Sequence, residues 1–251
     1  MILITQPRVG TSHNEILALH MAAHEKGWEV VPAPSGWRLD EELIKSAPIG
    51  VPYGSQTFCE VIAMQMRWEL KQNSFDWLAK LPERYVKRNV QFMTLGETKL
   101  LKEKKFVKPA DDKVFAAAVY EPGTLHPHET VPNDTPTLVS DIVQWDIEYR
   151  CFVTSSSVRA WSSYLFFGEI NNPKYHHMVD MDQEHPVQFV SNLLTQLQLA
   201  GIETVPSVID VGIIPGKGMA VIESNQAWAS GIYGCDPLKV LNVLESSCVP
   251  Y

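Results

Sequence analysis

Apolar positions along this chain change their spacing several times, and each change marks an element. Met1 to Thr5 is a short apolar run ended by Gln-Pro-Arg-Val-Gly, which reads as a buried strand. The spacing then becomes helical, with Ile16, Leu19 and Ala23 on one stripe and Gly27 at the end. Ser12 stands where an N-cap belongs, with Glu15 at the capping-box position. Trp28 to Val31 and the stretch Ile49-Gly-Val-Pro-Tyr are two further strands, so the opening is β-α-β and predicts a small parallel sheet. Phe58 to Leu70 reads as one helix. From Asn73 to Lys105 the chain turns polar and ends in a helical segment reaching Lys99-Leu-Leu-Lys-Glu-Lys-Lys105, a solvated basic face. A boundary near residue 80 divides the chain into a small α/β domain, 1–80, and a second domain, 81–251.

Beyond that boundary the pattern is of strands. Phe106 and Val107 begin one whose pairing Pro109 ends, and Val114 to Val119 is its return. A proline-rich loop leads to the apolar run Thr137 to Trp145, then Glu148 to Val153 and Val158 to Phe167. Last come Val208 to Ile214 and Met219 to Asn225, two β-branched runs separated by Pro-Gly-Lys-Gly, the pattern of an antiparallel hairpin.

Composition narrows the function classes. The chain has 251 residues, 45% hydrophobic and 20% charged, with a formal net charge of -8, which argues against broad binding to nucleic-acid phosphates. The cysteines Cys59, Cys151, Cys235 and Cys248 have no metal-ligand spacing and read as reduced thiols. No basic-then-apolar leader and no membrane-length apolar run is present, so a cytoplasmic protein with no membrane partner is expected. There is no Gly-x-Ser-x-Gly elbow and no phosphate-loop pattern after Gly54-Ser55. His20 and His24 lie one turn apart without a third ligand nearby.

Candidate chemistry begins in the last hairpin. Its strands are too apolar for a surface position, yet they carry Asp210, Glu223 and Asn225. Alternation puts Glu223 and Asn225 on one face, and Asp210 can meet them across the pair. Such a set of hard oxygens suits magnesium, though solvated acids at strand ends are the plainer account. Lys108 ends a strand among apolar neighbours, and Lys113 follows an acidic turn; together they can grip a polyphosphate or be ordinary hairpin lysines. Glu148 and Arg150 share one side of a strand, either as partners of each other or as groups of a site.

Taken in order, from about Phe106 to Asn225, these segments resemble the ATP-grasp superfamily, in particular its clade named for an arginine and two lysines. The resemblance implies a small α/β domain followed by an ATP-grasp core of antiparallel sheets with helices. It implies that Lys108 contacts nucleotide phosphates, that the hinge Asp141, Ile142, Val143 and Gln144 reads adenine through its backbone, and that Glu148 binds ribose. Asp210, Glu223 and Asn225 would hold two magnesium ions, and Arg150 and Lys113 would act on the transferred group. The glycine-rich phosphate loop of the family is not matched, since Ala110-Asp-Asp has no glycine. The activity implied is ATP-dependent joining of a carboxylate to an amine through an acyl phosphate, on small-molecule or peptide substrates. A kinase using the same nucleotide site and a non-catalytic nucleotide binder are the alternatives, and a homodimer is compatible with either. Tyr53, Arg88, Arg159 and the stretch 227–233 are the candidates for the substrate side.

Overall fold

The computed structural model describes residues 1–7, 13–46, 48–111, 113–170 and 185–250. The opening sheet is parallel, as its pattern predicts. β1 (Ile2–Thr5) pairs with β2 (Glu29–Pro32) on one side and β3 (Gly50–Tyr53) on the other, while α1 (His13–Glu25), α2 (Glu41–Ser46) and α3 (Gln56–Met66) connect and cover them. The Ser12 cap lies outside the described residues. The helix expected over 58–70 stops early, because Arg67 adopts a left-handed conformation (φ 55) that ends α3. β4 (Trp68–Leu70) follows, and pairs antiparallel with the last strand, Cys248–Pro250.

The polar stretch 73–105 also differs from its reading. It contains a 3-10 turn (Trp77–Lys80), α4 (Glu83–Val86), β5 (Val90–Thr94) and the single turn α5 (Leu95–Thr98), with no helix through the lysines. A capping box between Thr94 and Glu97 starts α5, and β5 escapes the pattern because it is a sheet edge with exposed positions. β6 (Lys105–Pro109), β7 (Ala118–Tyr120) and β8 (Pro136–Ser140) complete a four-stranded sheet in the order β5-β8-β6-β7. The return strand is therefore shorter than Val114–Val119, and Lys113 lies in the loop before it. Pairing toward β7 already stops at Val107, two residues before Pro109, which on its other side stays in register with Thr137. The strand expected to reach Trp145 ends at Ser140, and an extended connector takes over.

A five-stranded antiparallel sheet forms the centre: β9 (Ile147–Val153), β10 (Val158–Phe166), β11 (Glu169–Ile170), β12 (Ser207–Ile214) and β13 (Gly218–Gln226), in the order β11-β10-β9-β12-β13. Both of its faces carry core residues. Cys151, Ile209, Val211 and Phe166 pack into one cluster with Leu193 and Leu194 of α6 (Pro186–Leu199). Phe152, Ala160 and Val208 face the opposite cluster, with Ile4, Phe58, Trp228 and the α7 residues Val240 and Leu244 (α7, Pro237–Ser246). β14 (Cys248–Pro250) closes the chain. The helices α6 and α7 have no counterpart in the sequence reading, although His185-Pro186 and Asp236-Pro237 each place a capping side chain before a proline in the first turn. Among the described residues no helix is long and apolar enough to cross a membrane.

Gly212 of β12 is where this central sheet is tightest beside the connector. A Cβ there would lie 2.8 Å from the Trp145 ring, 2.9 Å from the Ile147 carbonyl and 3.0 Å from the Ile222 side chain. Because one of those neighbours is backbone, Gly212→Ala is expected to cost about 1–3 kcal/mol, the usual penalty for overpacking. A urea midpoint indistinguishable from that of the parent chain would contradict this packing.

Candidate active site

Glu223 and Asn225 would face the wrong way in a regular hairpin. Val211 opposes Val221, and both belong to the α6-side core, so simple alternation from Val221 would carry Glu223 and Asn225 into that core as well. A β-bulge prevents this. Pairing jumps from Val211 opposite Val221 to Asp210 opposite Glu223, leaving Ile222 as the extra residue. Beyond it Glu223 and Asn225 join Asp210, Arg150 and Glu148 on the other side of the sheet. On that side Phe152 and Val208 lie in the core near α7, and the polar residues continue the same face outward.

Arg88 holds the bulge. Its guanidinium donates to the carbonyls of Val221 (2.6 Å) and Ile222 (3.0 Å), and to its own neighbour Val86 (3.0 Å), with the Trp145 ring 5.2 Å away. Among the described residues no carboxylate lies within ion-pair distance of it. Burial therefore pulls its pKa down to about 10, against the nearby charges of Asp141 and Glu223. The sequence pattern suggests Arg88 for the substrate side or the surface; it is a buried clamp on the strand carrying Glu223 that also lines the cleft onto which this face opens.

The polar face opens on a cleft of about 1560 Å3. Its walls come from three places: the start of α3 (Ser55 to Thr57), the four-stranded sheet with its loop (Lys108, Lys113) and the central sheet (Arg150, Glu223, Asn225). Lys108 forms an ion pair with Glu223, and Asn225 Nδ2 donates to Glu223 Oε1 (2.8 Å) and Asp210 Oδ2 (3.2 Å). Burial would raise the Glu223 pKa, but the Lys108 ammonium, the Asn225 amide and Arg150 outweigh it and hold the carboxyl at about 2. Arg150 forks onto Asp210, with Nε to Oδ1 at 3.0 Å and Nη2 to Oδ2 at 2.7 Å. Burial works against its charge, yet Asp210 keeps the guanidinium ionised well above its usual range.

The expected groups do not all reach the cleft. Lys108, Lys113, Asp141, Ile142, Val143, Arg150, Glu223 and Asn225 line it. Gln144 points to solvent, Asp210 is wholly enclosed, and neither belongs to the lining. Glu148 also stands off the lining and accepts from the Tyr164 hydroxyl (2.9 Å), which does line the cleft; it does not pair with Arg150. The Asp141 carboxylate is occupied by Lys105 Nζ (2.9 Å) and the Asn89 N–H (3.0 Å), which pins the start of the connector. Beyond it, among the described residues, no hydrogen bond uses the main-chain groups of Ile142, Val143 or Gln144. On the substrate side, Tyr233 and Gly231 face the cleft, Tyr53 and Trp228 are buried packing residues, and Arg159 is exposed elsewhere. Tyr164 has no signal in the sequence: it stacks on Tyr233 with ring centres 4.9 Å apart, and no motif marks it.

A family model for the ATP-grasp domain, that of family 2 in the clade named for an arginine and two lysines, matches residues 85–243. D-cycloserine synthetase DcsG shares the fold at 15% identity, over 98% of this chain and 99% of that chain, with a TM-score of 0.57. D-alanine–D-alanine ligase from Bacillus anthracis is similar at 13% identity, over 98% and 96%, with a TM-score of 0.50. The ATP-grasp ligase PsnB, solved with a precursor peptide and AMPPNP, is similar at 10% identity, over 97% of each chain, with a TM-score of 0.50. Comparison with curated proteins finds no relative.

Burial, with the charges of Asp210 and Glu223, pushes the Glu148 carboxyl up to about 7 from its ordinary 4.5, against the Tyr164 hydrogen bond. The folded state then binds this proton more tightly than the unfolded chain, so Glu148 costs stability as pH rises from about 4.5 through about 7. Glu148→Gln is expected to be more stable than the parent by roughly 1–3 kcal/mol at pH 8, with the gap closing toward pH 5. Thermal melts across that range check it; a gap independent of pH would contradict it.

Proposed function

The chain belongs to the ATP-grasp domains, in family 2 of the arginine-and-two-lysines clade, and is an enzyme of the ATP-dependent ligase kind; from that premise we propose that it joins a carboxylate to an amine. The observation that carries this reading is the convergence of Lys108, Arg150, Glu223 and Asn225 on one cleft large enough for a nucleotide and a second substrate. The division at residue 80 is part of the same reading, with the ATP-grasp core over 81–251.

In this reading Lys108 holds nucleotide phosphates, and the unpaired main-chain groups from Ile142 to Gln144 meet the adenine edge. Ile222, Ile142 and Phe106 also line the cleft and offer apolar surface to the base. Glu148 binds ribose through acceptor sites that its single hydrogen bond from the Tyr164 hydroxyl leaves open. Lys113 stands on the loop over the phosphates, although that loop lacks the family's glycines.

Glu223 and Asn225 suit magnesium. Both face the cleft, and the hydrogen bonds from Asn225 Nδ2 leave its Oδ1 with no donor among the described residues. A bound magnesium ion would offset phosphate charge, and two such ions belong to the proposal. The protein's own part is to bring anions together. Lys108 and Arg150 lower the repulsion between a substrate carboxylate and the phosphoryl group it attacks, and the walls of the cleft orient the amine that follows. That amine then attacks the carbonyl carbon of the acyl phosphate, forming the amide, losing a proton and releasing inorganic phosphate. The substrates in this reading are small molecules or peptides.

Incubation with ATP, magnesium and pairs of amino acids, read by phosphate release and mass spectrometry, is the direct test. Phosphate release that requires both partners and yields an amide supports ligation; a phosphorylated acceptor with no need of an amine would make the protein a kinase. Lys108→Ala is expected to weaken ATP binding by about 1.5–3 kcal/mol, the worth of a hydrogen bond to a charged group. It also leaves Glu223 without its ammonium, so the loss should be larger without magnesium than with it. Calorimetry finding unchanged ATP affinity in a folded Lys108→Ala chain would remove this residue from the nucleotide site.

A further inference from the structure

A carboxylate that serves a metal must turn an oxygen toward it, and both oxygens of Asp210 are engaged by neighbouring side chains inside the sheet. Its side chain is fully buried and is not part of the cleft lining. Oδ1 accepts from Arg150 Nε, and Oδ2 accepts from both Arg150 Nη2 and Asn225 Nδ2. Glu223, its partner across the hairpin, lines the cleft and is partly exposed.

The guanidinium that occupies Asp210 is held on every side. Nη1 donates to the Gly231 carbonyl at 2.9 Å, and the rings of Tyr164 and Tyr233 lie 5.2 and 4.7 Å from its central carbon. The fork onto Asp210 and the bond to Gly231 leave one N–H on each terminal nitrogen, on a group that does line the cleft. For magnesium to reach Asp210, the ion would have to shed water inside the sheet, break a two-pronged ion pair and settle beside a guanidinium. Magnesium dehydrates reluctantly, and breaking up a buried pair is strongly unfavourable. Each of those terms opposes the move.

We infer that Asp210 is a positioning residue for Arg150 and not a magnesium ligand. Glu223 and Asn225 then carry the protein's share of metal binding, and the Asp210 fork presents a fixed guanidinium to the anionic group in transfer. This rests on the nucleotide reading of the cleft given above.

Two measurements on the purified chain separate the roles. The first is Mn2+ affinity of the ADP-loaded protein, read by electron paramagnetic resonance. Glu223→Gln should weaken it by about tenfold or more, whereas Asp210→Asn should stay within about twofold of the parent. The second is the tightening of ADP binding by aluminium fluoride, a mimic of the transferring phosphoryl group. Arg150→Lys and Asp210→Asn should each lose about tenfold of that tightening, and the double variant no more than either single one. If Asp210→Asn does not fold, Asp210→Asn with Arg150→Gln removes both charges and carries the manganese measurement with the same expectation. Manganese affinity falling as far in the Asp210 variant as in Glu223→Gln would overturn the inference, as would additive losses in the aluminium fluoride series. Absence of Mn2+ binding to the ADP-loaded parent would overturn it together with the nucleotide reading, and is told apart because Glu223→Gln then changes nothing.

Discussion

One extra residue, Ile222, decides which way the acid of the last strand faces, and the rest of the cleft depends on it. Without the bulge, Glu223 would enter the cluster around Val211 and Leu193, where an unpaired carboxylate is too costly to keep. With it, Glu223 reaches Lys108 on another sheet and Asn225 can touch both acids. A bulge also leaves main-chain groups without ladder partners. Arg88 supplies them, donating to the carbonyls of the bulged residue and of the residue before it. A buried arginine with three carbonyls and, among the described residues, no carboxylate is a poor choice for stability alone. It makes sense where a strand must be held off its regular course next to a site.

The same sheet has to bury charge on a face that is otherwise core. Two carboxylates, Asp210 and Glu223, meet two cations, Arg150 and Lys108, and one amide donates to both acids. Formal charge is balanced within the set, which is how a buried polar group of this size remains tolerable. The pairs nevertheless differ in kind. Arg150–Asp210 is a two-pronged bond in the sheet interior; Lys108–Glu223 joins two sheets across the cleft and is partly open to water. A pair spanning separate elements at a partly wet site is the one an arriving anion and cation can most readily divide between them.

How much of this is legible in the sequence follows from periodicity. The parallel opening, the final hairpin and the strand bearing Glu148 and Arg150 are readable, because each repeats a clear apolar spacing. The family resemblance also comes from short polar motifs set in those runs. The edge strand Val90–Thr94 is not readable, since its exposed residues mimic a polar helix. The bulge is invisible as well: Val221-Ile222-Glu223 shows only that apolar residues precede an acid. Arg88 is hidden for a different reason. In a stretch such as Lys87-Arg88-Asn89 nothing local distinguishes a buried clamp from solvated charge, and only the pairing of distant strands puts three carbonyls around it. Tyr164 is likewise an ordinary aromatic until the fold stacks it on Tyr233 beside Arg150, whereas Tyr233 lies in the stretch 227–233 already marked for the substrate side.

Tyr233 shows where the fold accepts strain in return for position. Its φ of 44 lies in the left-handed region, which costs a residue with a side chain about 1–2 kcal/mol, and Gly234 beside it takes the same hand freely. Both of its main-chain groups are tied: the N–H donates to Glu15 of α1 at 2.9 Å, and the carbonyl accepts from Ser162 of β10 at 2.7 Å. Those bonds join the first helix, the central sheet and the segment after β13 at one residue, so the turn cannot relax without losing both. What the strain secures is the ring, which stacks on Tyr164 and lies over the Arg150 guanidinium. A glycine would relieve the backbone and leave that face of the cation to water. Water would weaken its pairing with Asp210, because the strength of such a fork depends on a dry surround. The strained tyrosine is therefore part of how a charged group stays fixed at the edge of an open cleft.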